Sequence, residues 1–303
     1  PKKEREPIDF LSKKKVFFTI SLVLIAAGVI TIGVNAGRGK GAFAYSLEFQ
    51  GGTSTNVTFD KDYSIDEIDK EIVPVVEKVT GDNNVQTQKV AGTNQVIIKT
   101  VTLDLDKREA LNKAMVDNFG VDESKITAEN ISSTVSNEMR RDAVIAVVIA
   151  TICMLLYIWF RFKDIRFATS AVLALLHDVL VVVGFYAIAR ISVGNTFIAC
   201  MLTIVGYSIN ATIVIFDRIR EEMRGKTKSS DVAAVVNKSI TQTLTRSIYT
   251  SLTTFIMVAV LYVMGVSSIK EFALPLMVGV VCGAYSSVCI TGALWYVMKR
   301  FKK

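Results

Sequence analysis

Histidine and cysteine are scarce in this chain, and their scarcity excludes several kinds of site. The sequence holds one histidine, His177, and four cysteines, Cys153, Cys200, Cys282 and Cys289. Each cysteine lies within an apolar run, without CxxC spacing and without neighbours that could ligate a metal. This pattern indicates neither a disulfide framework nor a metal site.

Charged residues are also sparse, and apolar residues take their place. Only 21% of the residues are charged, 51% are hydrophobic and the mean hydropathy is +0.41, which is typical of a membrane protein. Six apolar runs are each long enough to cross about 30 Å of hydrocarbon. They cover residues 16–34, 143–160, 167–189, 196–216, 248–264 and 272–298. The first run is too long for the apolar region of a typical secretory signal and lacks a persuasive cleavage site, so we interpret it as an anchor.

Basic residues predict the orientation of these runs, because Lys and Arg gather on the cytoplasmic side of membrane proteins. They cluster at the start of the chain, in the second and fourth connections and in the tail, whereas the two short opposite connections hold only Arg190 and Lys270. The clusters are Lys2, Lys3, Arg5, Lys13, Lys14 and Lys15; Arg161, Lys163 and Arg166; Arg218, Arg220, Arg224, Lys226, Lys228 and Lys238; and Lys299, Arg300, Lys302 and Lys303. Both termini are thus predicted to be cytoplasmic. The net charge of +7 then belongs to a surface that faces anionic lipid, and it does not indicate nucleic-acid binding.

This orientation divides the chain into four parts. We expect a cytoplasmic segment at residues 1–15, a first transmembrane helix at 16–34, an extracytoplasmic α+β domain at 35–142, and transmembrane helices 2–6 with a cytoplasmic tail at 143–303. The chain begins with Pro1 rather than Met, so we expect a trimmed N-terminus or a piece of a longer polypeptide.

The segment between the first two runs shows the element order β-α-β-β-α-β. Its apolar and polar alternation predicts strands at residues 53–59, 85–90, 95–100 and 126–131, helices at 65–79 and 106–119, and a hairpin turn at 91–94. This order is typical of a ferredoxin-like fold. Ser64, followed by Glu67, forms a capping-box pattern at the start of the first helix. The domain has no nucleophile beside a base and no phosphate-binding glycine loop, so we expect a binding or lever-like role and no enzymatic activity.

Several polar residues lie deep in the later runs, where they are costly and usually serve transport. The ion-relay candidates are Asp178 in the third run, Asn210 and Ala211 in the fourth, and Arg246 at the entrance to the fifth. A rise of about 1.5 Å per residue puts Ala211 and Arg246 at comparable depths. Arg246 belongs to a polar stripe that we expect to face the bundle interior. The other members of the stripe are Gln242, Thr243, Ser247, Thr250, Thr253 and Thr254.

Other interpretations of these polar residues stay open. Arg246 reaches the membrane surface in one of them, where its charge stays hydrated. In another interpretation, Asp178 is a neutral, hydrogen-bonded acid that holds helices together. Successive side chains on a helix diverge by about 100°, so we do not expect His177 to act together with Asp178.

Four sequence motifs stand out along the chain. They are Leu47-Glu48-Phe49-Gln50-Gly51-Gly52-Thr53, Leu176-His177-Asp178, Gly206-Tyr207-Ser208-Ile209-Asn210 with the following Phe216-to-Glu221 segment, and the run from Thr245 to Thr254. The first motif holds Glu48, Phe49, Gly51, Gly52 and Thr53, and its paired glycines alone indicate only a turn, a positive φ or a close backbone approach. Together the four motifs resemble the SecF family of bacterial protein-export membrane proteins, and the resemblance covers essentially the whole chain.

The resemblance implies a fold and a set of partners. It implies half of an RND-superfamily transporter in the bacterial cytoplasmic membrane, with SecD as the other half, either separate or fused. It also implies association with the SecYEG translocon, with YajC and with unfolded secreted polypeptide. The coupling ion would be a proton or a sodium ion, with no other cofactor.

One position departs from the family pattern, which normally reads Asn-Asp where this chain has Asn210-Ala211. Alanine cannot carry a proton, so Arg246 lacks its expected counter-ion. We expect either impaired ion coupling or coupling through Asp178 or SecD. Two other functions remain as alternatives: an exporter of small molecules or lipids of the RND type, and a passive scaffold that uses no ions.

Overall fold

The computed structural model of the chain describes residues 6–38, 41–90, 92–224, 231–265 and 267–300. Ala91 of the predicted turn and the basic residues Lys2, Lys3, Arg5, Lys226, Lys228, Lys302 and Lys303 lie outside these ranges. In chain order the α-helices are α1 (Lys14–Gly37), α2 (Leu47–Gln50), α3 (Ile65–Glu67), α4 (Val73–Thr80), α5 (Leu105–Phe119), α6 (Ser133–Phe162), α7 (Ile165–Ala189), α8 (Asn195–Met223), α9 (Val232–Met264), α10 (Ser267–Tyr285) and α11 (Gly292–Arg300). The strands are β1 (Ala44–Tyr45), β2 (Gly52–Thr58), β3 (Gln86–Lys89), β4 (Gln95–Thr100), β5 (Ile126–Ile131) and β6 (Ser192–Val193). Two π-helical segments, Ile68–Ile72 and Ser286–Thr291, and one 3₁₀ turn, Glu123–Lys125, join neighbouring elements.

Six helices in the described ranges are long and apolar enough to cross a membrane, and they contain the six predicted runs. These helices are α1, α6, α7, α8, α9 and the segment Ile269–Arg300, which includes most of α10, one π-helical segment and α11. Helix α9 begins at Val232, well before the apolar run that starts at residue 248, because hydropathy detects only the apolar part of a helix. The Asp231 side chain accepts hydrogen bonds from Ala233 N and Ala234 N at this start, which is an N-cap.

The α+β domain has the ferredoxin-like topology that the sequence predicted. Its sheet has the strand order β3-β4-β2-β5, and every neighbouring pair is antiparallel. Strand β2 is central, so that Thr55 pairs with Ile98 on one side and with Ala128 on the other. Apolar side chains of the sheet and helices form one core that includes Ile72 and Met115, both fully buried. The predicted capping box is present, since Glu67 N donates to Ser64 Oγ at 3.3 Å and Ser64 N donates to Glu67 Oε2 at 2.8 Å.

Helices α7 and α8 and the last spanning segment form the centre of the membrane bundle. In the most apolar stretch of each of these three helices, between 44% and 61% of the residues are buried, against 6% to 11% for α1, α6 and α9. The three outer helices therefore present large uncovered faces. Helix α1 crosses α7 closely at Gly28 and Gly184, where an added Cβ atom on either glycine would lie within 2.8 Å of the other glycine's Cα.

A second, two-stranded parallel sheet joins the domain to the bundle, and the sequence did not predict it. Residue Ala44 of β1 pairs with Ser192 of β6, and Tyr45 pairs with Val193. Strand β6 lies in the short connection between α7 and α8. We call the end of the bundle at this sheet the domain end.

Candidate ion-coupling site

Asp178 is the centre of a buried polar network that connects three parts of the bundle. The residue lies on α7 and has no solvent exposure. Its Oδ2 accepts hydrogen bonds from Ser208 Oγ of α8 at 2.5 Å and from Ser286 Oγ of the last spanning segment at 2.7 Å. Its Oδ1 lies 2.9 Å from His177 Nδ1. Both carboxylate oxygens are thus hydrogen-bonded, as a buried acid requires.

The π-helical segment Ser286–Thr291 supplies one of these contacts. Ser286 also donates to Gly283 O at 3.3 Å, and Thr291 Oγ1 donates to Ser286 O at 3.0 Å, five residues back along the chain. Single π-helical turns inside long helices occur frequently at functional sites. Sequence reasoning missed Ser286, because a serine within an apolar run gives no sign of a π-helical segment.

His177 contacts Asp178, which corrects the expectation that the two residues point apart. Their Cα–Cβ bonds diverge along the helix, but rotation about the side-chain bonds brings the imidazole Nδ1 and the carboxylate to the same side. His177 is 7% exposed, and its Nε2 has no hydrogen-bond partner among the described residues. The imidazole therefore has one free hydrogen-bonding position within the bundle.

Ala211 and Arg246 line one cavity, in agreement with the depth comparison made from the sequence. The cavity has a volume of about 80 Å³ and lies between α8 and α9. Its other lining residues are Tyr207, Asn210, Val214, Ser247, Thr250 and Ser251. Neither Asp178 nor Ser208 lines it, so the structure separates this cavity from the Asp178 network.

The cavity offers Arg246 no carboxylate. Within the part of the chain that the structure describes, the Arg246 guanidinium forms no ion pair. In the same region the Ser247 hydroxyl is buried and has no hydrogen-bond partner among the described residues, and Tyr207 OH donates to Ser251 Oγ at 2.6 Å. Polar side chains surround the cavity, but none of its lining residues is acidic.

The polar stripe lies at the surface of this chain, so the expectation that it faces the interior of a complete bundle stays a prediction. Gln242, Arg246 and Thr250 are exposed, since α9 lies at the edge of the bundle. Arg218 Nε donates to Gln242 Oε1 at 2.6 Å. Four threonine hydroxyls of the stripe donate to backbone carbonyls three or four residues earlier on the same helix. They belong to Thr243, Thr250, Thr253 and Thr254. The stripe is therefore a surface of the isolated chain, and Ser247 is its buried member.

The glycine-containing motif lies at the domain end, in and just after α2. Asn195 N donates to Glu48 Oε2 at 3.0 Å, and Phe49 is buried in the bundle. Gly51 and Gly52 have φ values of +75° and +134°, which confirms the expected positive φ. Thr53 Oγ1 donates to Asn130 Oδ1 at 2.5 Å within the α+β domain.

Comparison with known proteins identifies the family. The profile of "Protein export membrane protein SecD/SecF, C-terminal" matches residues 111–301. SecF of Petrotoga mobilis is 36% identical over 303 residues, which is 98% of each chain, and SecDF of Bacillus subtilis is 36% identical over 96% of this chain and 38% of its own length. The crystal structure of SecDF from Thermus thermophilus, described as a translocon-associated membrane protein, superposes with a TM-score of 0.83 and 29% identity. This match covers 98% of the present chain and 39% of the longer one.

These similarities favour protein export over small-molecule export, because the relatives named here are protein translocase subunits. They also agree with the fold, in which six apolar helices accompany a ferredoxin-like domain in a multi-pass membrane protein. The chain therefore belongs to the SecD/SecF family of protein-export membrane proteins.

Proposed function

We propose that this chain acts with a SecD partner as an ion-driven subunit of a protein translocase, and that Asp178 binds the coupling ion. The observation that supports this function is the Asp178 network, a fully buried carboxyl that joins three spanning segments. Ionisable residues inside a membrane bundle are costly and are typical of ion pathways. Ala211 cannot take this role, because a methyl group binds no ion.

The hydrogen-bond pattern suggests how ion binding changes the bundle. An ionised Asp178 accepts the hydroxyl protons of Ser208 and Ser286 and the Nδ1 proton of His177. When a proton binds to Oδ2, it takes one of the two positions that accept from Ser208 and Ser286, so one of these two contacts breaks or reverses its direction. A sodium ion would instead compete with the two serine donors for Oδ2.

The energy that an ion gains by crossing the membrane is similar to the energy of one hydrogen bond in the network. A potential of 100 mV supplies about 2.3 kcal/mol for each charge that crosses the membrane. One hydrogen bond to a charged group contributes about 1.5–3 kcal/mol. One ion is therefore enough to exchange one arrangement of the network for another and to shift the population of two bundle conformations.

The proposed assembly follows from the uncovered faces of the outer helices. SecD would cover the polar stripe on α9, where Arg246 needs an acceptor. The basic ends of the helices would lie at the cytoplasmic surface of the bacterial inner membrane, beside anionic lipid. SecYEG, YajC and unfolded secreted polypeptide are the further partners that we propose, with the α+β domain on the extracytoplasmic side.

Release of a secreted substrate from membrane vesicles tests this function. The vesicles would contain the chain with SecD and SecYEG, with and without an imposed proton or sodium gradient. We expect the gradient to increase release with the unchanged chain and not with Asp178→Asn. Ala211→Asp provides a second arm, and gradient dependence that appears only in this variant would place ion binding at position 211. No gradient dependence in any variant would favour a passive scaffold.

A further inference from the structure

The motif that contains Glu48 forms a joint between the α+β domain and helix α8. Glu48 Oε2 accepts a hydrogen bond from Asn195 N, the first residue of α8, at 3.0 Å. Two residues earlier, Ser46 N donates to Val193 O at 2.9 Å, which continues the pairing of β1 with β6. The segment therefore contacts the connection between α7 and α8 through its backbone and through one carboxylate.

The joint is tight on the side of the bundle. A Cβ atom added to Gly194 would lie 2.8 Å from Ser46 Cβ and 3.0 Å from Glu48 Oε2, so only glycine fits this position without displacement. Phe49 is 5% exposed and packs in the core that Tyr186 of α7 and Met201 of α8 share. The motif thus inserts one aromatic side chain between the helices that its carboxylate and backbone contact.

The same segment is fixed on the side of the domain. Gly51 has φ +75°, and an added Cβ there would lie 3.3 Å from Ile131 O of β5. Thr53 Oγ1 donates to Asn130 Oδ1 at 2.5 Å and accepts from Leu103 N at 2.8 Å. The few residues between Glu48 and Thr53 therefore link the two bodies with little freedom for bending.

We propose that Glu48 is a positioning residue that transmits movement of α8 to the α+β domain. This role rests on the proposed function, because Ser208 on α8 donates to Asp178 at the ion-coupling network. Asn195 and Ser208 belong to one continuous helix and are about 20 Å apart along its axis. When the hydrogen bond between Ser208 and Asp178 breaks or forms, helix α8 tilts or shifts. The hydrogen bond between Glu48 and Asn195 then transmits the displacement of the first residue of α8 to the α+β domain.

A carboxylate suits this position for a physical reason. The first four N–H groups of a helix have no partner within the helix, and the N-terminal end carries a partial positive charge. An ionised Glu48 satisfies one of these groups and interacts favourably with the charge. Glutamine keeps an acceptor oxygen there, whereas alanine removes it.

Three variants test the transmission role, with the full chain in the vesicles described above. Glu48→Ala removes the contact, Glu48→Gln keeps an acceptor, and Gln50→Ala is the matched control, an exposed residue on the same short helix. Two quantities are measured in each case: gradient-stimulated release of substrate and gradient-driven ion uptake. We expect Glu48→Ala to lower stimulated release by roughly tenfold, the change expected for one lost charge-assisted hydrogen bond, with ion uptake unchanged. Glu48→Gln should restore most of the release, and Gln50→Ala should match the unchanged chain.

Three results would overturn this role, and they differ from one another. Full stimulated release by Glu48→Ala means that movement reaches the domain by another route. Loss of ion uptake together with release means that Glu48 supports the fold of the bundle rather than transmission. Absence of any gradient effect in the unchanged chain overturns the proposed function, and the role of Glu48 with it.

Discussion

Replacing Asp178 should separate its hydrogen bonds from its charge. In Asp178→Asn the amide oxygen can still accept the hydroxyl protons of Ser208 and Ser286, and the amide nitrogen can donate to His177 Nδ1 in its other tautomer. In Asp178→Ala these three partners lose their common acceptor. The two variants therefore remove the same charge but leave different numbers of buried polar groups unsatisfied.

The expected loss of unfolding free energy depends on how deeply the hydrogen-bond partners of Asp178 are buried. Ser208 is 1% exposed and His177 is 7% exposed, and water reaches neither readily. Ser286 keeps a second acceptor, Gly283 O, at 3.3 Å. In Asp178→Ala the Ser208 hydroxyl and the His177 imidazole thus lose their hydrogen-bond partner, and each buried unsatisfied group costs about 1–3 kcal/mol. We expect a loss of about 2–6 kcal/mol in unfolding free energy for Asp178→Ala and a change within about 1 kcal/mol for Asp178→Asn.

Chemical unfolding in mixed micelles measures this difference. Trp295 is 2% exposed in the bundle core, so its fluorescence reports on unfolding there. Equal stability of Asp178→Ala and the unchanged chain would refute the network. A loss in Asp178→Asn as large as in Asp178→Ala would show that the charge, and not the hydrogen-bond pattern, stabilises this part of the bundle.

Three further predictions concern other parts of the chain. Gly28→Ala should lower the unfolding free energy by about 1–3 kcal/mol through overpacking against α7. Gly33→Ala is the control, because open space surrounds Gly33 on the same helix, and equal unfolding free energies of the two variants would contradict the close crossing. Ala211→Asp should couple favourably to Arg246 by about 0.5–3 kcal/mol, because both residues line one cavity, and a double-mutant cycle with Arg246→Gln that gives repulsion instead would reject their interaction across it. In the α+β domain, the hydrogen bond from Lys61 and then those from Ser64 lower the pKa of Glu67 to about 2, so its stabilising contribution is present above the unfolded pKa of about 4.3 and is lost as pH falls toward 2. The stability difference between the unchanged chain and Glu67→Gln should therefore shrink between pH 5 and pH 2, and a constant difference in pH-dependent unfolding would reject this cause.

Hydropathy and alternation predicted most of the fold because these elements carry strong periodic signals. The strands at residues 95–100 and 126–131 and the membrane runs are examples. The apolar run at residues 248–264 covers only the later half of α9, because Asn237, Lys238 and Gln242 interrupt the apolar pattern of its earlier turns. The parallel pairing of β1 with β6 was missed, because two-residue strands show no period and their pairing depends on tertiary contacts.

The site was only partly predictable for a similar reason. Helical rise alone was enough to bring Ala211 and Arg246 together, because both lie near the same end of long neighbouring helices. The contact of His177 with Asp178 depends on side-chain rotation, which helix geometry does not fix. The contribution of Ser286 depends on a π-helical segment, which shifts the facing residue relative to a regular α-helix. The polar stripe lies on the surface of this chain, and its expected place in the interior of a complete bundle stays a prediction, because one chain supplies only part of the surface that would cover it.

Infrared difference spectroscopy of the chain in lipid with SecD would test most directly whether Asp178 binds the coupling ion. The spectra would be recorded across a pH range and with and without sodium, for the unchanged chain, Asp178→Asn and Ala211→Asp. We predict a carboxylic-acid carbonyl band that changes with the ion in the unchanged chain and disappears in Asp178→Asn. An ion-dependent band that is the same in the unchanged chain and Asp178→Asn, or the absence of such a band from both, would contradict ion binding at Asp178.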